Sequence, residues 1–454
     1  MSKQTAAADV PRTIHISTFI DDHEISLFQW RVVGLCALIA IIDGFDTQAI
    51  AFVAPVIVQE FRIAPVEMGG LFSASLIGLM IGAFLFSPLA DKIGRKPVIL
   101  ISCFVMGFFS LLMVVAGSTG EIVVYRFLTG LGLGGAMPNL NTLTSEFAPA
   151  RRRALLMTIM FVGYPLGAVM GGLVSAEIIA VYGWRSVFLL GGIVPIVLAL
   201  ALIFVLPESI RFLAVRGGRG PMVGALLARI DPAFTARGSD VYVASESADE
   251  NASIRTLFTD GRGLGTALIW LICFANLLMM YTLLSWLPSV MQLAGLALDQ
   301  AILTTVTFNL GGLIGGLVLA VSIDRFGPYK ALALTFAGCA VFVFAIGAAI
   351  GSLILLFIIV FAAGATVMGV QFGVNALTAG YYPTMARATG LGWSLAVGRI
   401  GAIIGPVVLG GALARDWSLP SIFAAIAAPA LVSLGAILTL AWVTRRVRSR
   451  PGKR

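Results

Sequence analysis

Runs of about twenty apolar residues recur along nearly the whole of this 454-residue chain. Each is long enough to cross the hydrocarbon core of a bilayer. That series constrains the fold more than any other feature. In hydrocarbon the backbone must satisfy its own polar groups, so the runs read as helices. Only 11% of the residues are charged, against about 25% in a soluble protein. The chain is expected to be an all-α membrane protein. Twelve transmembrane helices should begin near residues 30, 68, 97, 121, 154, 186, 264, 300, 329, 352, 389 and 418.

Lys and Arg set the orientation. With the N-terminus inside, cytoplasmic segments hold Lys3, Arg12, Arg31, Lys92, Arg95, Lys96, Arg151, Arg152, Arg153, Arg325, Lys330 and Arg387. They also hold the arginines from Arg211 to Arg262 and the basic residues from Arg445 onward. Outside loops keep only Arg62, Arg185 and Arg415. Both termini are therefore expected in the cytoplasm. The net charge of +8 is then topological and implies no nucleic-acid partner, although the terminal "RRVRSRPGKR" can touch anionic lipid. No apolar stretch with a small-residue cleavage site precedes the first span, so an uncleaved anchor is expected rather than a removable signal.

The expected organisation is a cytoplasmic tail over 1–29 and a six-helix bundle over 30–206. A cytoplasmic linker follows over 207–262, rich in Gly and Arg and briefly acidic at "SESADE". A second six-helix bundle spans 263–443, and a basic tail spans 444–454. The bundles are pseudo-repeats. At a spacing of about 234 residues, Asn141 falls on Asn375, Leu143 on Leu377, Thr144 on Thr378, Pro149 on Pro383 and Arg153 on Arg387. Gly167 and Gly171 fall on Gly401 and Gly405 at the same spacing, which indicates duplication. Two parallel six-helix repeats around a midplane site describe a secondary transporter.

Particular strings carry a family resemblance. "SPLADKIGRKPV" resembles the loop motif of the major facilitator superfamily between its second and third helices, and "DRFGPYK" resembles the weaker second copy. Ser87 stands where that motif usually has glycine; it is small enough to keep the helices close. "YRFLTGLGLGGAMPN" resembles the fourth-helix motif, which carries Arg126, and "PESIRFL" is also common after the sixth helix. "DGFDTQAIAFVAP", preceded by "STFIDDHEISLFQWRVV", resembles the aromatic acid:proton symporters, in particular the carriers of 4-hydroxybenzoate and protocatechuate.

Asp43 and Asp46 are three residues apart on one helix face. Each costs about 2.5–3.5 kcal/mol at the bilayer centre on insertion scales, so both are expected to face a polar interior. Two close carboxylates with little water cannot both ionise easily. At least one should hold a proton near neutral pH and could couple transport to protons. The alternative is a structural pair satisfied by helix hydrogen bonds. The resemblance implies that both are needed for uptake.

Arg399 lies near the middle of the eleventh span, where a guanidinium needs an anion. A substrate carboxylate is the preferred anion, and a salt bridge to Asp43 or Asp46 the alternative. For Arg126, nearer the outer face, packing and function stay open. Asp91, Arg95, Glu146, Asp324 and Arg325 are gating candidates at the cytoplasmic ends; the resemblance implies that the Asp91 loop latches the inner gate. An aromatic substrate wants flat apolar partners and a few hydrogen-bonding groups. Asn276, Tyr281, Phe308, Asn309, Gln371, Phe372, Asn375 and Trp393 are candidates, each also readable as core.

Glycines at intervals of four in the fifth and eleventh spans read as close helix packing. Cys36, Cys103, Cys273 and Cys339 are scattered singly and read as small buried hydrophobes. No catalytic constellation, phosphate loop or metal-ligand spacing is found, so no enzyme activity, metal or cofactor is expected. The function expected is proton-driven import of an aromatic carboxylate, such as a hydroxybenzoate, by a monomer in a bacterial inner membrane. The alternatives are an efflux antiporter of drugs or organic anions, because "GAIIGPVVLGG" resembles a motif of drug:proton antiporters, and, more remotely, a transporter-shaped sensor.

Overall fold

The computed structural model describes residues 12–216, 218–244, 253–259 and 261–448. Lys3, the "SESADE" stretch and the basic tail beyond residue 448 lie outside them. The all-α membrane fold expected from the sequence is the fold observed. Among the described residues there are twelve helices of at least eighteen residues: α1 (Leu27–Phe61), α2 (Pro65–Ile93), α3 (Arg95–Leu112), α4 (Thr119–Phe147), α5 (Arg153–Tyr182), α6 (Arg185–Val205), α7 (Gly263–Leu293), α8 (Leu298–Phe326), α9 (Pro328–Ala349), α10 (Leu353–Tyr381), α11 (Thr384–Leu413) and α12 (Leu419–Arg448). Eleven are long and apolar enough to cross a membrane. The exception, α4, is rich in glycine and carries Asn139, Asn141, Thr142 and Thr144. Its packing against α1, α2, α3 and α5 spares those groups from lipid.

The duplication is visible in the packing. In the first half α1 pairs with α5 and α2 with α4; in the second, α7 pairs with α11 and α8 with α10. The halves meet through α2 on α11 and α5 on α8, contacts that exchange under a two-fold operation, and through α1 on α7. Glycine makes the equivalent pairs close. A Cβ on Gly167 would sit 1.8 Å from the Ile41 carbonyl oxygen, and one on Gly401 would sit 2.3 Å from that of Phe274. Backbone contact of this kind replaces the hydrophobic drive that lipid cannot supply.

The end remote from the linker is closed. There Ser73 Oγ donates to the Ile403 carbonyl (2.6 Å), and Phe72 packs edge-on against Trp286 at 5.2 Å. Gly69 lies against Pro406, Gly410 against Pro65 and Gly172 against Val306.

At the linker end the tail and linker form a cap that composition alone does not suggest. Thr13–His15 pairs in parallel with Val241–Val243, and Arg12 holds Asp240 at 2.9 Å. The short helix Gly220–Ile230 places Val223, Leu226, Leu227 and Ile230 on one face, a helical spacing. That face is buried with Ile14, Ile16, Ile20 and Phe28 from the tail side and with Ile210 and Leu213. His23 Nε2 approaches Asp231 at 3.3 Å. The later part of the linker joins the second half instead: Leu257 is fully buried there, and its carbonyl accepts from Thr266 Oγ1.

The close approach of α1 and α5 generates a prediction. Gly167→Leu should lower stability by about 1–3 kcal/mol. Gly435→Ala, at a position with nothing within 4 Å, should be neutral or slightly stabilising. Thermal unfolding of both variants in detergent checks this.

Candidate functional site

A cavity of about 320 Å³ lies between the halves, within the range of small-molecule sites. α1, α2, α4 and α5 supply one wall, and α7, α8, α10 and α11 the other. Its lining reaches Phe161, Phe372 and Leu395, which are 37%, 52% and 38% exposed, so it opens toward the linker end. Most of the wall is apolar, with Leu76, Leu133, Met137, Met280 and Met368 among its residues. Polar groups converge at a few points.

Asp43 is in the wall and 2% exposed. Thr47 Oγ1 donates to its Oδ1 at 3.4 Å, while Oδ2 is buried without a partner. Arg399 shares the cavity and makes no ion pair among the described residues. Its charge is close enough to act on Asp43 and on Tyr281. Tyr281 meets Tyr164 across the cleft, and Tyr164 also contacts Thr47. The cavity thus holds an unpartnered carboxylate oxygen, an arginine with no ion pair among the described residues, and two phenols.

Asp46 sits behind this wall. Its Oδ2 lies 3.2 Å from Arg126 Nη1, with both side chains fully buried. Ser110 Oγ donates to Oδ1 at 2.6 Å. Arg126 Nη2 also donates to the Asp46 carbonyl (3.0 Å) and to Ser75 Oγ (3.3 Å). The guanidinium lies 5.9 Å from the centre of the Phe188 ring. A buried charge pair needs such additional hydrogen bonds to be tolerable. The counter-ion of Asp46 is therefore Arg126 rather than Arg399.

The remaining substrate candidates divide. Tyr281, Gln371, Phe372 and Asn375 are in the wall. Asn276 stands behind it and donates to Gln371 Oε1 at 2.8 Å. Phe308 and Asn309 are buried away from the cavity, where Asn309 Nδ2 donates to the Thr305 carbonyl. Trp393 is half-exposed and stacks on Trp270, with ring centres 6.1 Å apart.

The gating candidates of the first half come together. Asp91, near the end of α2, and Arg95, at the start of α3, pair at 2.8 Å across the Gly94 turn. Glu208 Oε1 accepts from the backbone N–H groups of Arg95, Lys96 and Ser209. Ser209 Oγ donates to Glu146 at 2.5 Å and itself caps the helix Ile210–Val215. Arg95 and Arg211 are close enough to act on Glu146. In the second half Asp324 and Arg325 are exposed, and Arg325 lies over Phe326. Sequence reasoning missed Thr47, Ser110, Tyr164 and Glu208. Tyr164 stands in "GYPLGAVMGG", which reads first as a glycine string; a phenol in that string was the available signal.

Comparisons with known proteins bear on what this arrangement serves. Residues 36–302 and 269–454 match the Major Facilitator Superfamily. The 4-hydroxybenzoate transporter PcaK of Pseudomonas aeruginosa is 39% identical, over 94% of this chain and 95% of its own. The gallate transporter of Pseudomonas putida is 38% identical, over 94% and 95%. Among solved structures, the xylose transporter XylE from E. coli, in a partially occluded inward-open conformation, superposes with a TM-score of 0.70. It is 18% identical, over 91% of this chain and 99% of its own.

The Asp46–Arg126 pair yields a double-mutant test. Arg126→Met strands a buried carboxylate and should cost about 3–5 kcal/mol. Adding Asp46→Leu should recover much of that loss. Unfolding midpoints of the two single variants and the double variant in detergent measure the coupling. Additive losses would show that the pair does not act as a unit.

Proposed function

The chain belongs to the major facilitator superfamily and is a membrane transporter, not an enzyme, and on that footing we propose that it is a proton-coupled symporter that imports an aromatic carboxylate of the hydroxybenzoate kind. The carrying observation is the cavity itself, where Asp43 keeps a carboxylate oxygen free and Arg399 makes no ion pair among the described residues. An arginine in an apolar cleft suits a carboxylate, which it can hold by two parallel hydrogen bonds. The apolar wall suits a ring. Relatives whose names specify 4-hydroxybenzoate and gallate support the same class.

Coupling follows from charge. A substrate carboxylate at Arg399 and an ionised Asp43 would repel each other in a medium of low dielectric. A proton on Asp43 removes that repulsion, so substrate and proton load together. Release of the substrate would then be followed by release of the Asp43 proton on the same side of the membrane, which resets the carrier. Asp46 keeps Arg126 engaged, which leaves Arg399 as the cation available to the ligand.

Alternating access would rock the two halves around this site. With both termini and the linker in the cytoplasm of a bacterium and the protein in its inner membrane, the structure is inward-facing. The Asp91–Arg95 and Glu208 contacts then belong to the inner gate. The site is complete in one chain, and the carrier acts as a monomer.

Uptake of labelled 4-hydroxybenzoate into energised vesicles, under a pH gradient of either sign, tests the function. Accumulation driven by an inward-directed proton gradient marks the symporter; accumulation driven by an outward-directed one would instead mark an antiporter. Asp43→Asn and Asp46→Asn should each abolish gradient-driven uptake, but differently. Asp43→Asn should keep wild-type stability, whereas Asp46→Asn leaves Arg126 buried without its counter-ion and should unfold more readily. Wild-type accumulation by either variant removes that residue from the coupling.

Arg399 has its own test. Arg399→Lys should bind the acid about tenfold to hundredfold more weakly, the equivalent of roughly 1.5–3 kcal/mol for a hydrogen bond to a charged group. Arg399→Gln should lose much of the wild-type preference for the acid over its neutral amide. Unchanged discrimination would exclude the carboxylate clamp.

A further inference from the structure

The cavity has a second polar face, formed entirely by amides. Asn276, fully buried on α7, donates to Gln371 Oε1 on α10 at 2.8 Å. Gln371 Nε2 donates in turn to Asn375 Oδ1 at 3.1 Å, one turn further along. Gln371 and Asn375 line the cavity among apolar neighbours such as Met368 and Phe372. We propose that this relay reads a ring hydroxyl, so that the cavity selects hydroxylated aromatic acids over the unsubstituted acid. The inference rests on the reading of the chain as an aromatic-acid carrier with Arg399 at the carboxylate.

Three features carry it. First, the relay is held at both ends: Asn276 behind the wall and Asn375 within it hydrogen-bond to the Gln371 amide, so the group is oriented before any ligand arrives. Second, its hydrogen bonding is unfinished toward the cavity. An amide nitrogen carries two N–H groups, and Gln371 Nε2 uses one on Asn375. A phenol both donates and accepts, so it satisfies such a relay whichever way the amides are turned.

Third, the spacing fits. Gln371 lies ten residues before the end of α10, and Arg399 lies fifteen residues into α11. The two helices are joined only by Tyr382 and Pro383, so their facing ends lie nearly level. Five residues of difference put Arg399 about 7 Å deeper, close to the span of a benzene ring carrying opposed substituents. A ring seated between them has its carboxylate at the deep end and a hydroxyl near the opening.

A site built to hydrogen-bond a hydroxyl rejects the analogue lacking it, because its own buried polar groups are then left unpaired. A relay that merely staples α7 to α10 has no such selectivity. The test is the ratio of kcat/KM for 4-hydroxybenzoate to that for benzoate, measured as initial uptake into vesicles. Wild type should favour the hydroxylated acid by about tenfold or more. Gln371→Leu, which keeps bulk and loses the amide, should bring the ratio close to one. Asn375→Ala, which leaves the α7–α10 hydrogen bond in place, should shift it the same way and serves if Gln371→Leu does not fold. A ratio unchanged in the folded variants, with both acids falling together, overturns the inference and leaves the transport reading standing. So does a wild type indifferent to the hydroxyl. Wild type that carries neither acid overturns the transport reading itself, and this inference with it.

Discussion

Everything in this molecule is arranged around four charges that an apolar bundle should not contain. Asp43, Asp46, Arg126 and Arg399 lie deep in helices whose other residues are nearly all apolar, and ionised groups at such depth are expensive. The structure disposes of two by pairing them. Asp46 and Arg126 neutralise each other and take up Ser110 and Ser75 as further partners. Asp43 and Arg399 are kept apart from that pair and turned to the cavity. One acid and one base thus pair with each other, and one of each faces the cavity, where Asp43 keeps a carboxylate oxygen without a hydrogen-bond partner.

Separating the pairs depends on how closely the helices approach. α1 can carry both aspartates into the interior only because α5 lies against it with no side chain between, at Gly163 and Gly167. The second half repeats the device with Gly401 and Gly405 against α7, which fixes the eleventh helix and so the depth of Arg399. The duplicated scaffold is symmetric, but its charges are not. The first half brings three of the four and the second half one. The asymmetry puts Arg399 and Asp43 on opposite sides of the cleft.

Much of this was legible in the sequence, and the limits were physical. Hydropathy gave the helices, because a span of hydrocarbon demands a run of fixed length. Of the twelve, the one whose apolar signal falls short is α4, because it faces protein rather than lipid and can carry Asn139 and Asn141. The depth of Arg399 followed from its place in the run, whereas the expectation that Asp43 and Asp46 share one polar face did not separate Asp43 in the wall from Asp46 behind it. Nor did the partner of Asp46 follow, since Arg126 is 80 residues away, and only the packing of α4 on α1 brings it near. Aromatic and amide candidates separated poorly for a similar reason. Phe308 and Phe372 look alike in a string of apolar residues, yet one is sealed between helices and the other is half-exposed in the cleft. The cap was hidden by averaging. Residues 207–262 are polar overall, while the periodic apolar face of Gly220–Ile230 within them is what packs.

That cap has a consequence for biosynthesis. The strand Thr13–His15 must find Val241–Val243, and Arg12 must find Asp240. Some 228 residues separate Arg12 from that partner, and they include the first six long helices. At 5–20 residues per second, a ribosome needs roughly 10–45 s to cover that distance. Through that interval Ile14, Ile16 and Ile20 have no linker helix to cover them, while the six helices are entering the membrane. The cap therefore can close only after the first six long helices and the linker strand have been made.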